Sequence, residues 1–309
     1  MRRFNSLVIG AGPAGVSAAL YLARFDLSVA LVEKMAPGGL LLQTAEIENY
    51  PGFPKAIKGY ELADAFSAQL DPYPNLVRMT ETVSEMELEG DIKRVRLGEE
   101  WIEAETVIIC SGVRYRKLGL DGEDRLLGRG ISYCALCDGN FFRGQTVAVV
   151  GGGNSALEES LFLARLASQL HVIHRRDEFR GAPVYLSRLK ALPNVTFHLS
   201  TVVTKLHGEK QLEGLTLRDV RQGGDKVLPL DGLFVFIGFE PTADFLPSAL
   251  KLDAHGFIET DVEMRANIPG VFAAGDIRSK MCRQVVTAVG DGATAANSAY
   301  TYLMEQKHA

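Results

Sequence analysis

With 309 residues, 47% of them hydrophobic and 23% charged, the chain has apolar material for two ordinary soluble domains or one large one. Its formal net charge of −5 argues against a nucleic-acid binder, whose footprint is normally basic. Met1 to Ser6 runs straight into Leu7-Val8-Ile9 without the long apolar region of a signal peptide, and no stretch approaches the ~18 apolar residues of a membrane span, so a cytoplasmic protein without membrane association is expected.

Leu7-Val8-Ile9 has the pattern of a buried parallel strand and leads into Gly10-Ala11-Gly12-Pro13-Ala14-Gly15. The spacing predicts a helix over 16–25, with Leu20 and Ala23 in register with Val16, then a strand over 28–32 that ends at Glu33. Glycines so spaced allow a tight turn and the close approach of a pyrophosphate to a helix N-terminus. Glu33 then falls where an acid can bind a ribose hydroxyl. Tyr50-Pro51-Gly52-Phe53-Pro54 reads as a structured turn, and 88–102 as hairpin strands.

The same grammar recurs further on. Residues 146–150 form a predicted strand, Gly151-Gly152-Gly153-Asn154-Ser155-Ala156 the loop, and 157–168 a helix with Leu157, Leu161 and Ala164 on one stripe. The next strand, 170–173, ends in His174-Arg175-Arg176 instead of an acid. A hairpin is expected over 208–230, a short strand at 270–276 ending in Gly275-Asp276, and a helix from about Thr287. One glycine fingerprint is weak evidence; two in strand–loop–helix–strand context imply two nucleotides.

The partners of those nucleotides differ. Glu33 suits a ribose with free hydroxyls, whereas Arg175, Arg176 and Arg180 form a cationic cluster suited to a 2′-phosphate, favouring NADPH over NADH. A solvated basic helix start is the plainer alternative for the arginines. Between the two units lies Ser132-Tyr133-Cys134-Ala135-Leu136-Cys137-Asp138-Gly139. Only four cysteines occur, Cys110, Cys134, Cys137 and Cys282, too few for a secreted disulfide framework. A C-x-x-C pair can cycle between dithiol and disulfide. Zinc would need two further ligands, and iron–sulfur ligation is less favoured still, so no metal is expected. Asp138 can relay a proton as a thiolate forms or leaves, and it can also cap the turn before Gly139.

Taken in order, Gly10 to Gly15, Pro37-Gly38-Gly39, Glu48-Asn49-Tyr50-Pro51-Gly52-Phe53-Pro54, Cys134 to Gly139, Gly151 to Ala156, His174-Arg175-Arg176-Asp177-Glu178-Phe179-Arg180 and Gly275-Asp276 with Arg283-Gln284 resemble the low-molecular-weight thioredoxin reductases, class II pyridine nucleotide-disulfide oxidoreductases. The resemblance covers essentially the whole chain. It implies an α/β fold of two Rossmann-like three-layer domains, each with a small antiparallel β insertion or meander. The FAD domain would be discontinuous, 1–114 and 243–309, and the NADPH domain, 115–242, would carry the C-x-x-C. It assigns Gly10, Gly12, Pro13, Ala14, Gly15, Glu33, Lys34, Gly39, Asn49, Asp276, Arg283, Gln284 and Val285 to FAD. Gly152, Gly153, Asn154, Ser155, His174, Arg175, Arg176 and Arg180 fall to NADPH, and Cys134, Cys137 and Asp138 to catalysis, with Cys137 the thiol nearer the flavin.

Some positions depart from the family pattern. Leu40 stands where Gln is usual, Leu136 where Thr is common, Cys110-Ser111-Gly112 where Ala-Thr-Gly is usual, and Cys282 immediately precedes Arg283. The ordinary reading of Cys282 is a packed, inert cysteine, since free cysteines are commonly buried.

The expected reaction carries electrons from NADPH through FAD to the Cys134–Cys137 disulfide, and on to thioredoxin or a thioredoxin-like protein by exchange. Cys137 precedes Gly151 by only 14 residues, so dithiol and nucleotide loop share one domain and both must reach one flavin. A domain rotation about strands near 113–115 and 240–242 satisfies that demand. The family implies a homodimer. Rival readings are an FAD-dependent dithiol oxidase, a ferredoxin-dependent thioredoxin reductase and a non-enzymatic flavin redox sensor; the first two are opposed by an intact nicotinamide site.

Overall fold

The computed structural model describes residues 1–44, 46–47 and 49–308, with the side chains of Glu46, Leu136, Cys137 and His308 outside the description. In chain order the elements are β1 (Arg2–Ile9), α1 (Pro13–Arg24), β2 (Val29–Glu33), β3 (Glu46–Ile47), β4 (Ile57–Lys58), α2 (Gly59–Ala68), β5 (Leu76–Thr80), β6 (Val83–Glu87), β7 (Lys93–Leu97), β8 (Glu100–Ile109) and β9 (Val113–Tyr115). Then come α3 (Glu123–Leu126), β10 (Ile131–Ser132), α4 (Ala135–Asp138), β11 (Thr146–Gly151), α5 (Asn154–Ala164), β12 (Gln169–Ile173), α6 (Pro183–Lys190), β13 (Val195–His198), β14 (Thr201–His207), β15 (Gly214–Asp219), β16 (Asp225–Pro229) and β17 (Gly232–Phe236). The chain ends with β18 (Phe239–Pro241), β19 (Val271–Ala273) and α7 (Val285–His308). It divides into two compact units, residues 1–114 with 240–309, and residues 115–239.

The first unit is built on one sheet in the order β5-β2-β1-β8-β7-β6, with β19 also paired to β8. β5, β2, β1, β8 and β19 are parallel, and β6 to β8 form an antiparallel meander. Strand side chains alternate between faces. Val8, Val29, Leu31 and Ile108 therefore join the core beneath α1 and α7, while Leu7, Ile9, Val32, Val107 and Ile109 pack on the other face with Met86 and Val95 from the meander. Each such fully buried aliphatic side chain contributes about 1.5–3 kcal/mol. Both faces being covered explains why these strands read as apolar runs.

α7 approaches α1 closely because Gly292 has no side chain: a Cβ there would lie 2.1 Å from the Ala14 carbonyl oxygen. The Ser17 hydroxyl donates to the Val289 carbonyl at 2.8 Å across the same contact.

In the second unit the order is β10-β17-β11-β12-β13, all parallel. A separate antiparallel sheet, β14-β15-β16, supplies Leu206, Leu215, Leu217 and Leu228 to one face. α5 and α6 cover the other, where Leu157, Leu163 and Leu189 are fully buried. The expected hairpin over 208–230 is thus a three-stranded sheet that begins at Thr201.

Both helices after the glycine loops start earlier than the apolar periodicity suggested, at Pro13 rather than Val16 and at Asn154 rather than Leu157. The reason is local: Gly12 and Gly153 are themselves the N-caps, and the first turns carry small or polar residues that leave no hydrophobic stripe. α5 also ends at Ala164, four residues short of the expected end.

Candidate active site

In the first unit, β1 delivers the chain into Gly10 at a φ of 98°, a conformation suited to glycine, and a Cβ there would meet the Cys110 carbonyl oxygen at 2.4 Å. Gly15 is held tighter, its would-be Cβ 1.7 Å from the Gly10 oxygen. At Gly12, by contrast, a Cβ would have nothing within 4 Å. No side chain caps this helix. Pro13 brings no N–H, so the N–H groups of Ala14 and Gly15 face the open side as anion donors.

The neighbours of that loop converge on it. Glu33, at the end of β2, accepts the Ala11 N–H at 2.9 Å and the Met35 N–H at 3.3 Å. Gly39 lies against Gly12, its would-be Cβ 3.4 Å from the Gly12 Cα. Gly275 lies against Ala14 at 2.8 Å by the same measure. Lys34 is exposed and has no side-chain partner among the described residues.

Beyond Gly275, Asp276 presents a buried Oδ1 with no hydrogen-bond partner; the nearest cation, Lys280 Nζ, stands 3.8 Å away. Burial pushes this carboxyl above the ordinary carboxylate range, against the pull of Lys280 and Arg283. Asp291 on α7 anchors the loop, accepting from Gly275 N at 3.1 Å and pairing with Arg278 at 3.0 Å and Lys280 at 2.8 Å. Arg283 stacks over Phe257 at 4.1 Å. Asn49 donates to Gln284 at 2.9 Å, and Val285 opens α7. An open, donor-lined helix N-terminus together with an orphaned buried acceptor fits the pyrophosphate and a hydroxylated chain of FAD.

Cys282, beside Arg283, is an exposed free thiol, and this corrects the expectation of a packed cysteine: the loop before α7 carries Met281 and Cys282 outward while Arg283 takes the inner position. Cys110 is the buried one, and burial raises its thiol pKa far beyond the ordinary range.

The second unit repeats the loop. Gly153 caps α5 with no side-chain hydrogen bond, and a Cβ there would again meet nothing within 4 Å. Asn154 Oδ1 accepts the Ala182 N–H at 2.7 Å, tying α5 to the segment after the arginines. The strand end differs. His174 is buried and packs on Gly152, whose would-be Cβ falls 2.2 Å from the ring, and it stacks on Phe179 at 5.2 Å. Burial lowers the His174 pKa; a backbone hydrogen bond to Glu178 opposes this, and the charges of Arg180, Arg176 and Arg175 add to the lowering. Its Nε2 has no partner. The Arg180 N–H donates to the Gly152 carbonyl at 2.8 Å, fixing the arginine segment to the loop. Arg175, Arg176 and Arg180 are exposed, and among the described residues none is in an ion pair. Free guanidinium groups beside an open helix N-terminus fit a dinucleotide bearing an extra phosphate.

The redox loop belongs to this second unit. Cys134 is held in a disulfide. The Cys137 side chain, paired with it in the sequence reading, lies outside the described residues. The Ser132 hydroxyl donates to Asp138 Oδ2 at 2.6 Å and accepts the Cys134 N–H at 3.0 Å; the Asp138 N–H donates to the Cys134 carbonyl at 3.2 Å. Tyr133 donates to Glu123 Oε1 at 2.6 Å, and Glu123, buried, accepts the N–H groups of Leu118 and Gly119 at 2.8 Å each. Phe142 is anchored on Phe234 at 5.3 Å while Phe141 is 77% exposed. Sequence reasoning missed Ser132, Glu123 and Asp291 as organising residues. Only Ser132 left a signal, its nearness to the cysteines.

Two dinucleotide cradles, one on each unit, and an oxidised cysteine beside the second define a nucleotide-dependent disulfide oxidoreductase. Residues 4–292 match the pyridine nucleotide-disulphide oxidoreductase family, and the chain belongs to it. It is 40% identical to the thioredoxin reductase of Listeria innocua over 99% of this chain and 96% of that one. It is 42% identical to the bifunctional thioredoxin reductase/thioredoxin of Mycobacterium leprae, covering 97% of this chain and 66% of that protein. The crystal structure of Lactococcus lactis thioredoxin reductase matches with a TM-score of 0.85 at 38% identity, covering 98% and 99% of the two chains. Within its family the chain is a thioredoxin reductase, a flavoprotein that uses FAD and NADPH. Among the described residues no helix is long and apolar enough to cross a membrane.

Proposed function

We propose that the first unit holds FAD through Gly10, Gly12, Pro13, Ala14, Gly15, Glu33, Lys34, Gly39, Asn49, Asp276, Arg283, Gln284 and Val285. The second unit holds NADPH through Gly152 to Ser155, His174, Arg175, Arg176 and Arg180. The observation that carries this is the pairing of two open, glycine-capped helix N-termini with opposite charge at the strand end beside each. FAD held there would supply the two-electron relay between NADPH and the Cys134–Cys137 disulfide.

The residues of the chain then complete the reaction. Cys134, as thiolate, attacks the disulfide of thioredoxin; that S–S bond breaks, a mixed disulfide forms, and Asp138 gives a proton to the departing thiolate. Cys137 attacks Cys134, the second thiol of the partner leaves and takes up a proton, and the Cys134–Cys137 disulfide re-forms. Two electrons and two protons have moved. Phe141, close to the cysteines in sequence and 77% exposed, offers apolar surface to the incoming protein. In the Mycobacterium leprae relative a reductase and a thioredoxin share one name, which supports thioredoxin as the partner here.

FAD sits on one unit, dithiol and NADPH on the other, so turnover alternates by rotation about the chain crossings near 113–115 and 239–241. Thr242 N–H donates to Gly112 O within the first unit, and Arg116 N–H donates to Gly238 O within the second. The enzyme is cytoplasmic and dimeric on this reading, and sedimentation at twice 33.7 kDa checks the second point.

One anaerobic assay tests the function: purified holoenzyme with NADPH, then NADH, then reduced ferredoxin, followed by flavin bleaching and reduction of a thioredoxin. Bleaching by NADPH with thioredoxin reduction is expected. Bleaching by ferredoxin alone, or turnover only when oxygen is admitted, would overturn the reading.

A further inference from the structure

We infer that Ser132 is a positioning residue for disulfide exchange: its hydroxyl holds Oδ2 of Asp138 and thereby reserves the other carboxylate oxygen for the mobile proton. The inference rests on the role of Asp138 in the function proposed above and deepens it.

The geometry is specific. Ser132 ends β10, which pairs in register with β17, so its backbone is fixed by the sheet and not by the redox loop. The residue is 3% exposed, which removes water as a competing partner. Its single proton has two acceptors in range, Asp138 Oδ2 at 2.6 Å and the Cys134 carbonyl at 3.1 Å. The carboxyl oxygen is the nearer of the two. The Cys134 carbonyl in turn takes the Asp138 N–H. The oxygen of Ser132 accepts the Cys134 N–H, so one hydroxyl ties the backbone of the attacking cysteine to the carboxylate that serves its leaving group.

The consequence for the reaction follows from proton balance. When the partner's S–S bond breaks, the leaving thiolate needs one proton, and a protonated Asp138 supplies it and becomes the carboxylate. With Oδ2 occupied by the Ser132 O–H, that proton resides on Oδ1. Without Ser132 the proton can reside on either oxygen and the carboxyl can rotate, so fewer encounters find the acid aligned.

The test is a double-mutant cycle on thioredoxin reduction by the holoenzyme, with Ser132→Ala, Asp138→Asn and the pair, and with Ser132→Thr as the conservative variant. Ser132→Ala should lower kcat about tenfold while leaving KM for thioredoxin within about twofold, as expected for an interaction that acts only in the reacting complex. Ser132→Thr should recover most of the rate, and Ser132→Ala should cost nothing further in the Asp138→Asn background. Circular dichroism melting verifies that each variant is folded. If Ser132→Ala lowers the rate by the same factor in both backgrounds, the inference falls while the role of Asp138 stands. If Asp138→Asn turns over at the full rate, it is the role of Asp138 that falls, and the inference with it.

Discussion

The two cradles use one backbone solution with opposite electrostatics. Gly12 and Gly153 both cap a helix in extended conformation with φ of −73° and −93°, and both leave open space where a side chain would stand. Beside the first, the acidic Glu33 is bound to the loop's own N–H of Ala11. Beside the second, His174 packs under Gly152 and three exposed arginines, Arg175, Arg176 and Arg180, follow. On the proposed assignment the backbone would recognise what the two dinucleotides share, a pyrophosphate, and the residue at the strand end would tell them apart.

The largest effect should come from the glycines that pack, set against those that bind. Gly15→Ala would drive a Cβ to 1.7 Å from the Gly10 oxygen, so backbone must move; a loss of roughly 3 kcal/mol or more and a protein purified without flavin are expected, read by melting and by FAD content. Gly12→Ala and Gly153→Ala meet nothing and should change stability by less than about 0.5 kcal/mol. They should instead weaken FAD and NADPH respectively, about tenfold or more, because the methyl occupies the approach of the pyrophosphate. Equal destabilisation at Gly12 and Gly15 would break the distinction.

Next in size is the charge contrast. Replacing Arg175, Arg176 and Arg180 together by Gln should raise KM for NADPH by at least about 10–100-fold and leave NADH almost unaffected, since even one charge-assisted bond is worth about 1.5–3 kcal/mol and only the phosphorylated dinucleotide can form it. Equal losses for both nucleotides in steady-state kinetics would mean the arginines act on the shared pyrophosphate. Glu33→Gln should act more weakly and only on the first cradle, lowering FAD affinity about tenfold by equilibrium titration, because the carboxylate is also engaged by Ala11 and Met35.

Much of this was legible in the sequence because each cradle is local: strand, glycines, helix and strand end lie within some thirty residues, and glycine spacing encodes backbone geometry directly. A strand was expected at 113–115, and β9 occupies Val113–Tyr115. What escaped was non-local. Gly292 matters because α7 returns from the far end of the chain to touch Ala14, and Asp291 because it braces a loop begun at Gly275. Neither position carries a periodic or motif signal. His174 was assigned to the nucleotide from its neighbours, but its contact with Gly152 is a packing relation that no spacing rule contains. Cys282 was misjudged because the tendency of free cysteine to be buried holds on average and says nothing of a loop that turns one side chain inward at the expense of the next.

The smallest expected effect distinguishes the units by their response to acid. In the second unit His171 Nδ1 and His198 Nε2 lie 3.0 Å apart between β12 and β13, sharing one proton. Burial, then the charges of His171 and Lys226, lower His198 to about 4, against 6.5 for the free side chain. Between those values the unfolded chain binds a proton that the folded one refuses, so this unit loses stability as pH falls from 6.5 toward 4. Asp276, in the first unit, has the reverse sign: burial raises it, so the folded state holds its proton more firmly, a contribution present at low pH and lost as pH rises through the folded value. Calorimetry of the flavin-free protein should therefore show the second unit's transition fall as pH drops from 6.5 toward 4, and His198→Gln should flatten that fall. If His198→Gln leaves the acid dependence of that transition intact, the proton uptake lies elsewhere, and the contrast between the units would rest on their nucleotide sites alone.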